Sequence, residues 1–281
     1  MRRRPARPGV GRRNAAGFAL LIVLWTLVLI AFIVARLTAS ARTEIRIADN
    51  LVADAVAEAA DEGGIFAAIF NQLDPNPDQR WPLNGQAHEL ISGNSRVRVQ
   101  VEDEAGRINP STAPPALLEA LLSTTGSDPE TARRLAAEIG EWVGSAPAAQ
   151  PQTALAEYQA AGLDYGPPGE PLETLDELGR VLGMTPAVLA AIRPHLTLFG
   201  PAQPNPASAD PVVVAALAAT AEPMQAQVSP NQPPPDLRTL RITATAFGPG
   251  NARVARSAIV RVGAMLPGGY AVLAWSSSGF D

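Results

Sequence analysis

Residues 15–35 read AAGFALLIVLWTLVLIAFIVA, a run of 21 residues in which Thr26 carries the only polar side chain. At a rise of about 1.5 Å per residue, a helix of this length matches the hydrocarbon core of a bilayer, which is roughly 30 Å thick. The run therefore predicts an N-terminal transmembrane helix, from which the rest of the chain extends.

Charged residues are divided unequally around this run. Six of the 22 basic residues precede it and no acidic residue does; the six are Arg2, Arg3, Arg4, Arg7, Arg12 and Arg13. Because basic residues favour the cytoplasmic side of a membrane, we expect the N-terminus in the cytoplasm and the body on the opposite side. The remaining chain has 16 basic against 27 acidic residues, a net charge of −11. Such a body repels phosphate backbones, so we expect no nucleic-acid partner.

The composition allows a folded body but removes several kinds of chemistry. With 281 residues, 47% of them apolar, the chain is long enough for one large or two ordinary domains. The absence of cysteine excludes disulfides, thiolate metal sites and cysteine nucleophiles. His88 and His195 stand apart beside apolar neighbours, which predicts structural or surface roles. The sequence contains no Gly-x-Ser-x-Gly, glycine-rich phosphate loop or His-Glu-x-x-His, so we predict that the protein is not an enzyme.

Three kinds of N-terminal segment combine a basic stretch with an apolar one. A cleavable secretory signal has a small-x-small site after its apolar core, whereas here Gly17 lies before the core and is followed by Phe18. A plain signal anchor is the second alternative. The sequence of residues 12–22 resembles the site of prepilin peptidase, which cleaves after the glycine and methylates the new N-terminal phenylalanine. This resemblance implies a leader of residues 1–17, cleavage between Gly17 and Phe18, and N-methylation of Phe18.

The apolar pattern becomes periodic beyond Arg36, which predicts that the helix continues past its transmembrane part, 18–35, through residues 36–73. Apolar residues recur at three- and four-residue steps: Leu37, Ala41, Ile45, Ala48, Val52, Ala55, Ala59, Phe66, Ile69 and Leu73. The outer faces are predicted to carry Arg42, Glu44, Arg46, Asp49, Asp54, Glu58 and Asp61. Gly63-Gly64 is the point at which this helix could bend. Such a helix suits either a linker or packing against other subunits in a fibre core.

The fifth residue after the predicted cleavage site is Ile22. In most pilins and pseudopilins this position is glutamate, which neutralises the N-terminal amine of the neighbouring subunit in the apolar filament core. An unpaired charge in such a core costs several kcal/mol, so a subunit without the carboxylate is not easily added behind another one. Together with residues 18–25, FALLIVLW, this departure resembles the minor pseudopilin K family of the type II secretion system, also called general secretion pathway protein K.

Four stretches predict the strands of one antiparallel sheet packed on the helix. The first, residues 93–101, alternates polar and apolar residues behind a turn signal. The other three are residues 237–247, 253–262 and 270–275, which are separated by Gly-Pro-Gly-Asn and Leu-Pro-Gly-Gly turns.

A helical pattern broken by proline-rich stretches lies between the first strand and the last three. It predicts an inserted helical domain over residues 107–218, with residues 74–106 and 219–281 as the two parts of an α/β body. Two parts of the insertion, residues 107–118 and 203–214, are weakly alike. Each is predicted to turn through Asn and Pro and then to open a helix with Ser or Thr near its N-cap.

Two further segments resemble the protein K family: residues 102–113, EDEAGRINPSTA, and residues 172–186, LETLDELGRVLGMTP. The resemblance implies an α+β, pilin-like fold with a long N-terminal transmembrane and amphipathic helix, an antiparallel sheet and a large inserted α-helical domain of SAM or helix-hairpin-helix type. It also implies a single-pass inner-membrane protein with a periplasmic body. Its implied partners are the minor pseudopilins of the I, J and H types, in a hetero-oligomer at the pseudopilus tip, and prepilin peptidase as the processing enzyme.

No cofactor is predicted, and calcium is the alternative. Some members of the family bind calcium through acidic loops after an Asp-Trp pair. Here the pair is Glu141-Trp142 and residues 143–148 contain no carboxylate, which leaves Glu157 and Asp164 as candidate ligands for an ion that needs about six to eight oxygens. The Glu102-Asp103-Glu104 run is a second candidate cation site, but we expect a solvated loop in which Glu104 or Asp103 pairs with an arginine.

Two other functions share some of these features. Residues 108–113 and 182–186 also resemble the helix-hairpin-helix motifs of membrane-anchored DNA-uptake receptors. Such a hairpin usually presents Gly-x-Gly to a phosphate, whereas position 185 is Thr. A minor pilin of a type IV pilus or a DNA-uptake pilus would have the same leader, helix and sheet, and only the large insertion and Ile22 argue against it.

Overall fold

The computed structural model describes residues 13–145, 151–220 and 237–277. Residues 1–12 of the predicted leader, and residues 221–236 and 278–281 of the predicted C-terminal part, lie outside this description. The helices are α1 (Arg13–Gln72), α2 (Pro115–Thr124), α3 (Pro129–Trp142), α4 (Pro151–Ala160), α5 (Pro186–Ile192) and α6 (Pro211–Thr220). The strands are β1 (His88–Ser92), β2 (Ser95–Asp103), β3 (Arg238–Phe247), β4 (Arg253–Val262) and β5 (Tyr270–Ser276). The α+β class is confirmed.

The chain divides into two compact units, residues 1–55 and 56–281. In the first unit, the described structure is the N-terminal part of α1. Its segment Leu20–Leu37 has a mean hydropathy of 2.7, and no part of the segment is buried. By length and composition, this is the one described helix that could cross a membrane.

The second unit contains a five-stranded sheet in the order β1-β2-β3-β4-β5, in which all neighbouring strands are antiparallel. The three C-terminal strands agree with the predicted ranges to within one residue at each end. The sequence analysis missed β1, because its sequence His-Glu-Leu-Ile-Ser does not alternate polar with apolar residues. The predicted turn signal, Gly93-Asn94, joins β1 to β2, and Gly93 has a φ of +56°, which costs glycine little.

The second part of α1 packs on the sheet through small side chains. Its buried residues are Ala57, Ala60, Ile65, Ala68 and Ile69, which share one core with the inward-facing residues of β2, β3 and β4. A Cβ atom at Gly64 would lie 2.7 Å from Cγ1 of Val97, so this position admits only glycine at the present spacing. The helix runs without interruption through Gly63-Gly64. Gly64 therefore serves close helix–sheet packing, and the predicted bend is not seen as a break.

The predicted buried face of this helix is largely wrong in the second unit. Ile69 is buried as expected, but Ala59 is exposed and Phe66 is 42% exposed to solvent. Asp61, which we predicted on an outer face, is completely buried. Alanine occurs so often in this helix that several faces satisfy the same three- and four-residue spacing, and contact with the sheet selects the face with the smallest side chains.

Residues 107–218 contain α2 to α6 around a second hydrophobic core. Larger side chains fill this core, among them Leu121, Leu135, Ile139 and Trp142. α2 lies at its centre and contacts α3, α5 and α6. The large helical insertion in the sheet body is thus confirmed as a feature of the fold, while its limits at 107 and 218 stay a prediction.

Both predicted turns are present in the two similar parts of the insertion. The Oδ1 atom of Asn109 accepts a hydrogen bond from the Ser111 N–H at 3.0 Å, and that of Asn205 accepts one from Ala207 at 3.1 Å. Ser or Thr lies near each helix start, as predicted, but is not the capping residue. α2 begins after Pro114 without a side-chain cap, because proline has no polar side chain to accept a bond. In α6, Asp210 takes the capping role.

Candidate assembly site

The predicted assembly site lies at the N-terminal end of α1, which contains Gly17, Phe18 and Ile22. The side chains of Phe18 and Ile22 are exposed by 68% and 50%. Thr26 Oγ1 lies 2.9 Å from the carbonyl oxygens of both Ile22 and Val23, so the helix itself satisfies the one polar side chain of this stretch. The surface around Ile22 is thus apolar and has no carboxylate. Cleavage between Gly17 and Phe18 stays a prediction.

A buried ionic contact holds the helical insertion against the sheet. The carboxylate of Glu104 is completely buried, accepts a hydrogen bond from Arg241 Nε at 2.6 Å, and accepts another from the hydroxyl of Thr197. Arg241 belongs to β3, whereas Thr197 lies between α5 and α6 of the insertion. We call residues 104–109 and 195–200, together with Arg241, the junction. Because a charge-assisted bond in a site without water is strong, Glu104 fixes how the insertion meets the sheet.

The contacts and burial of the acidic residues 102–104 differ in part from the prediction. Pairing of Glu104 with an arginine is confirmed, but the solvated loop is wrong for this residue, since its side chain is buried. Glu102 pairs with Arg107 at 2.5 Å. The Oδ1 atom of Asp103 accepts a hydrogen bond from the Ala105 N–H at 3.0 Å. The sequence could not show which acid would be buried, because the partner Arg241 lies 137 positions further along the chain.

Backbone pairing continues the junction beyond Glu104. Ile108 forms a parallel bridge with Leu196, in which the Ile108 N–H donates to the His195 carbonyl and the Thr197 N–H donates to the Ile108 carbonyl, both at 2.9 Å. The Asn109 amide group donates to the carbonyls of Leu198 and Gly200, each at 3.2 Å. The chain entering the insertion is therefore bonded directly to the segment between α5 and α6.

The second family-like segment, residues 172–186, packs around the same core. The Leu172 N–H donates to Ser111 Oγ at 3.0 Å, which ties this segment to residues 102–113. Thr174 and Glu177 form a capping box, and Asp176 forms an ion pair with Arg193. The two segments that resemble the family are thus in contact with each other.

The comparisons with known proteins agree with this geometry. Residues 88–201 match the family described as Type II secretion system (T2SS), protein K. This match spans less than half of the chain. A chain of the crystal structure of the GspK-GspI-GspJ complex from the enterotoxigenic Escherichia coli type 2 secretion system is similar in fold, with a TM-score of 0.54. The two are 16% identical, over 85% of this chain and 99% of that chain. Comparison with curated proteins finds no match.

The similarity of residues 88–201 to the protein K family supports the prediction of a minor pseudopilin of the type II secretion system. The family is one of structural pseudopilins, which is in line with the prediction that the protein is not an enzyme. The apolar segment Leu20–Leu37 is consistent with anchoring in the inner membrane. The pilin-like fold, with its long helix, antiparallel sheet and helical insertion, is confirmed by the likeness to the solved structure.

The calcium alternative gains no support from the described residues. Among residues 13–145, 151–220 and 237–277, no group of three or more His, Asp or Glu side chains is arranged to hold a metal ion. Burial, together with the charges of Glu141 and Glu157, raises the pKa of Glu138 to about 7, while Arg134 opposes this shift. These three carboxylates are close enough to repel one another but do not form a metal site. Asp164 joins no such group.

Position 185, which bears on the DNA-binding alternative, has a local role. Thr185 is the N-cap of α5, and its hydroxyl accepts a hydrogen bond from the Val188 N–H at 3.3 Å. Gly183 precedes it with a φ of +80°. The threonine hydroxyl therefore occupies a backbone N–H at the start of α5, whereas a Gly-x-Gly hairpin would present such groups to a phosphate. The absence of a nucleic-acid partner stays a prediction.

Both histidines have structural contacts in the body. The His88 ring stacks on Trp81, with ring centroids 4.4 Å apart and planes 6° from parallel. His195 Nδ1 lies 2.8 Å from Oδ2 of Asp210, the residue that caps α6. The predicted structural role is confirmed for both.

Proposed function

We propose that this minor pseudopilin initiates the periplasmic pseudopilus and remains at its tip, in a complex with minor pseudopilins of the I, J and H types. Assembly there supports secretion of folded proteins across the outer membrane. The observation that carries the proposal is Ile22, which stands where most pseudopilins have glutamate and lies on an apolar helix surface.

Electrostatics connect Ile22 with the first position in the fibre. When a subunit is added behind another one, the N-terminal ammonium group of the earlier subunit enters an apolar core and needs a negative partner. A subunit with isoleucine at this position leaves that ammonium group unpaired. The first subunit of a fibre has no subunit before it, so it needs no carboxylate. This chain is suited to the first position and poorly suited to every later one.

Two further observations support a position at the tip. The helical insertion, held rigidly through Glu104, is bulky for repeated packing along a shaft. The similar solved chain comes from a complex titled GspK-GspI-GspJ, which supports partners of the I and J types for this chain. The H type rests on the family resemblance alone.

The proposal includes a defined path to the membrane. Prepilin peptidase removes residues 1–17, and the new N-terminal Phe18 is methylated. Before assembly, the helix remains in the inner membrane, with the N-terminus on the cytoplasmic side and the body in the periplasm. The basic residues before the apolar segment support this orientation. Intact mass of the membrane-extracted protein tests the path, because a chain beginning at Met1 would contradict it.

Restoring a carboxylate tests the role of Ile22. Cells that lack the native protein receive either the native chain or Ile22→Glu, and pseudopili are counted and labelled with immunogold. We expect equal fibre number and label at one end in both cases, because the first subunit has no amine to neutralise. Leu21→Glu is the matched control for the cost of one charge in the apolar helix. Label along the whole fibre, or increased incorporation of Ile22→Glu, would contradict the tip assignment.

A further inference from the structure

A cavity of about 560 Å³ opens beside the C-terminal end of α1. Its walls come from the last residues of α1, the segment 77–83, the beginning of β3 and the end of β4. None of the residues that line this cavity belongs to the junction.

Two arginines line the cavity without an acidic partner inside it. Arg80 follows the short 3-10 turn Pro77–Gln79, and its Nε donates to the Asp74 carbonyl at 2.8 Å, which fixes the direction of the side chain. Arg238 is the first residue of β3 and pairs with Val262 of β4. Among the described residues, neither guanidinium group has a carboxylate within ion-pair distance.

The electrostatic setting of Arg238 agrees with this geometry. Its pKa is lowered, first by burial and then by the positive charge of Arg80, while the more distant Asp103 opposes both effects. The carboxylate of Asp103 is already engaged with the Ala105 N–H. Two cations are therefore held near each other in a concave and partly dehydrated place, where an added anion would relieve their repulsion.

The remaining walls indicate what kind of anion fits. Trp81, Pro82, Leu73 and Val262 surround the two guanidinium groups with apolar surface. A bare phosphate or sulfate would leave these walls without a contact. A carboxylate on an apolar or peptide body would use both parts of the cavity, since it takes bidentate bonds from planar guanidinium groups and packs its body on the apolar surface.

We propose that the cavity between Arg80 and Arg238 is a binding site for an acidic side chain of a peptide segment from another protein. The carboxylate lies between the two guanidinium groups, and its neighbouring apolar residues pack on Trp81 and Leu73. The occupant is an acidic peptide segment of a partner protein, defined by one carboxylate between apolar residues. The site does not depend on the position of the subunit in the fibre.

Calorimetric titration of the full chain in uncharged micelles tests the site. The probe is a peptide with blocked ends and one glutamate between two leucines, and the matched probe has glutamine in place of glutamate. We expect the glutamine peptide to bind at least about tenfold more weakly, because it loses the charge-assisted bonds. Arg80→Gln and Arg238→Gln should each weaken glutamate-peptide binding by a similar factor. Arg98→Gln, which alters an exposed ion pair with Glu89, should leave it unchanged.

Thermal unfolding separates loss of the site from loss of the fold. Without peptide, Arg238→Gln should unfold no earlier than the native chain, because it removes one of two repelling charges. Equal binding of the two peptides by the native chain would overturn the proposal and requires no variant. Displacement of the glutamate peptide by an equal concentration of inorganic phosphate would also overturn it, since the apolar walls would then contribute nothing.

Discussion

Two buried carboxylates lie where the sheet meets its neighbouring elements, and their surroundings are opposite. At the junction, the buried carboxylate of Glu104 is paired with Arg241 and Thr197. Under α1, the buried carboxylate of Asp61 accepts no hydrogen bond from any described residue, and Arg256 acts on it only through its charge. Arg256 forms its ion pair with Glu58, at 3.4 Å.

This difference shows how the two contacts derive their stability. The insertion is held by a satisfied ionic network, which specifies one arrangement because each partner is lost if the contact opens. The α1–sheet contact is held by close packing of small side chains around Gly64. The carboxylate of Asp61 in this contact has no hydrogen-bond partner among the described residues, and its burial lowers the stability of the fold. The stability of the junction should depend on charge. The stability of the helix–sheet contact should depend on side-chain volume and on pH.

The largest effect is expected at the junction. Glu104→Gln removes the buried negative charge that accepts from Arg241 and Thr197, which should lower the free energy of unfolding by about 3–5 kcal/mol. Urea-induced unfolding of the full chain in micelles, followed by near-ultraviolet circular dichroism, measures this loss. Glu89→Gln is the control, because its ion pair with Arg98 is 3.6 Å long and exposed and should contribute about 0–1 kcal/mol. A loss equal to that of the control would show that the junction is not electrostatic.

A smaller effect is expected from volume under α1. A Cβ atom at Gly64 would lie 2.7 Å from Val97 Cγ1 and 3.1 Å from Val99 Cγ2, so Gly64→Ala should cost about 1–3 kcal/mol. Gly63→Ala is a matched control one residue away, where a Cβ atom meets nothing within 4 Å. It should stabilise the helix by about 0.5–1 kcal/mol. If both variants changed the unfolding free energy in the same direction, close packing at Gly64 would be refuted.

A third effect is expected from Asp61 and depends on pH. Burial raises its pKa from 3.8 to about 7, against the charge of Arg256. Because the folded chain binds this proton more tightly than the unfolded chain, stability is lost as the pH rises from about 4 to about 7. Asp61→Asn removes the penalty, so it should match the native chain near pH 4 and exceed it by up to about 4 kcal/mol at pH 8.

Melting temperature measured across this pH range checks the Asp61 prediction. Glu62→Gln, on the exposed side of the same helix, should change the melting temperature little at either end of the range. A difference between Asp61→Asn and the native chain that does not grow with pH would contradict the assignment to this carboxylate.

Sequence patterns predicted the sheet better than the contacts of its helix. The last three strands were placed within one residue because alternating residues and glycine turns leave one register available. The buried face of α1 was misplaced because alanine satisfies several helical faces equally well. Asp61 was therefore put on the outside. The pairing of Glu104 with an arginine was anticipated, but its burial was not, since the sequence does not show that residue 197 returns to this point.

The sequence by itself determined the apolar N-terminal helix, the isoleucine at position 22 and the resemblance to a pseudopilin family, because apolar length and local motifs are properties of contiguous residues. Tertiary structure alone decided which acids are buried, and it brought Arg80 and Arg238 to one cavity from opposite ends of the body. These side chains meet because antiparallel strands and a returning insertion bring together residues more than 90 positions apart. Their electrostatics follow from that shared burial, which no local pattern of residues records.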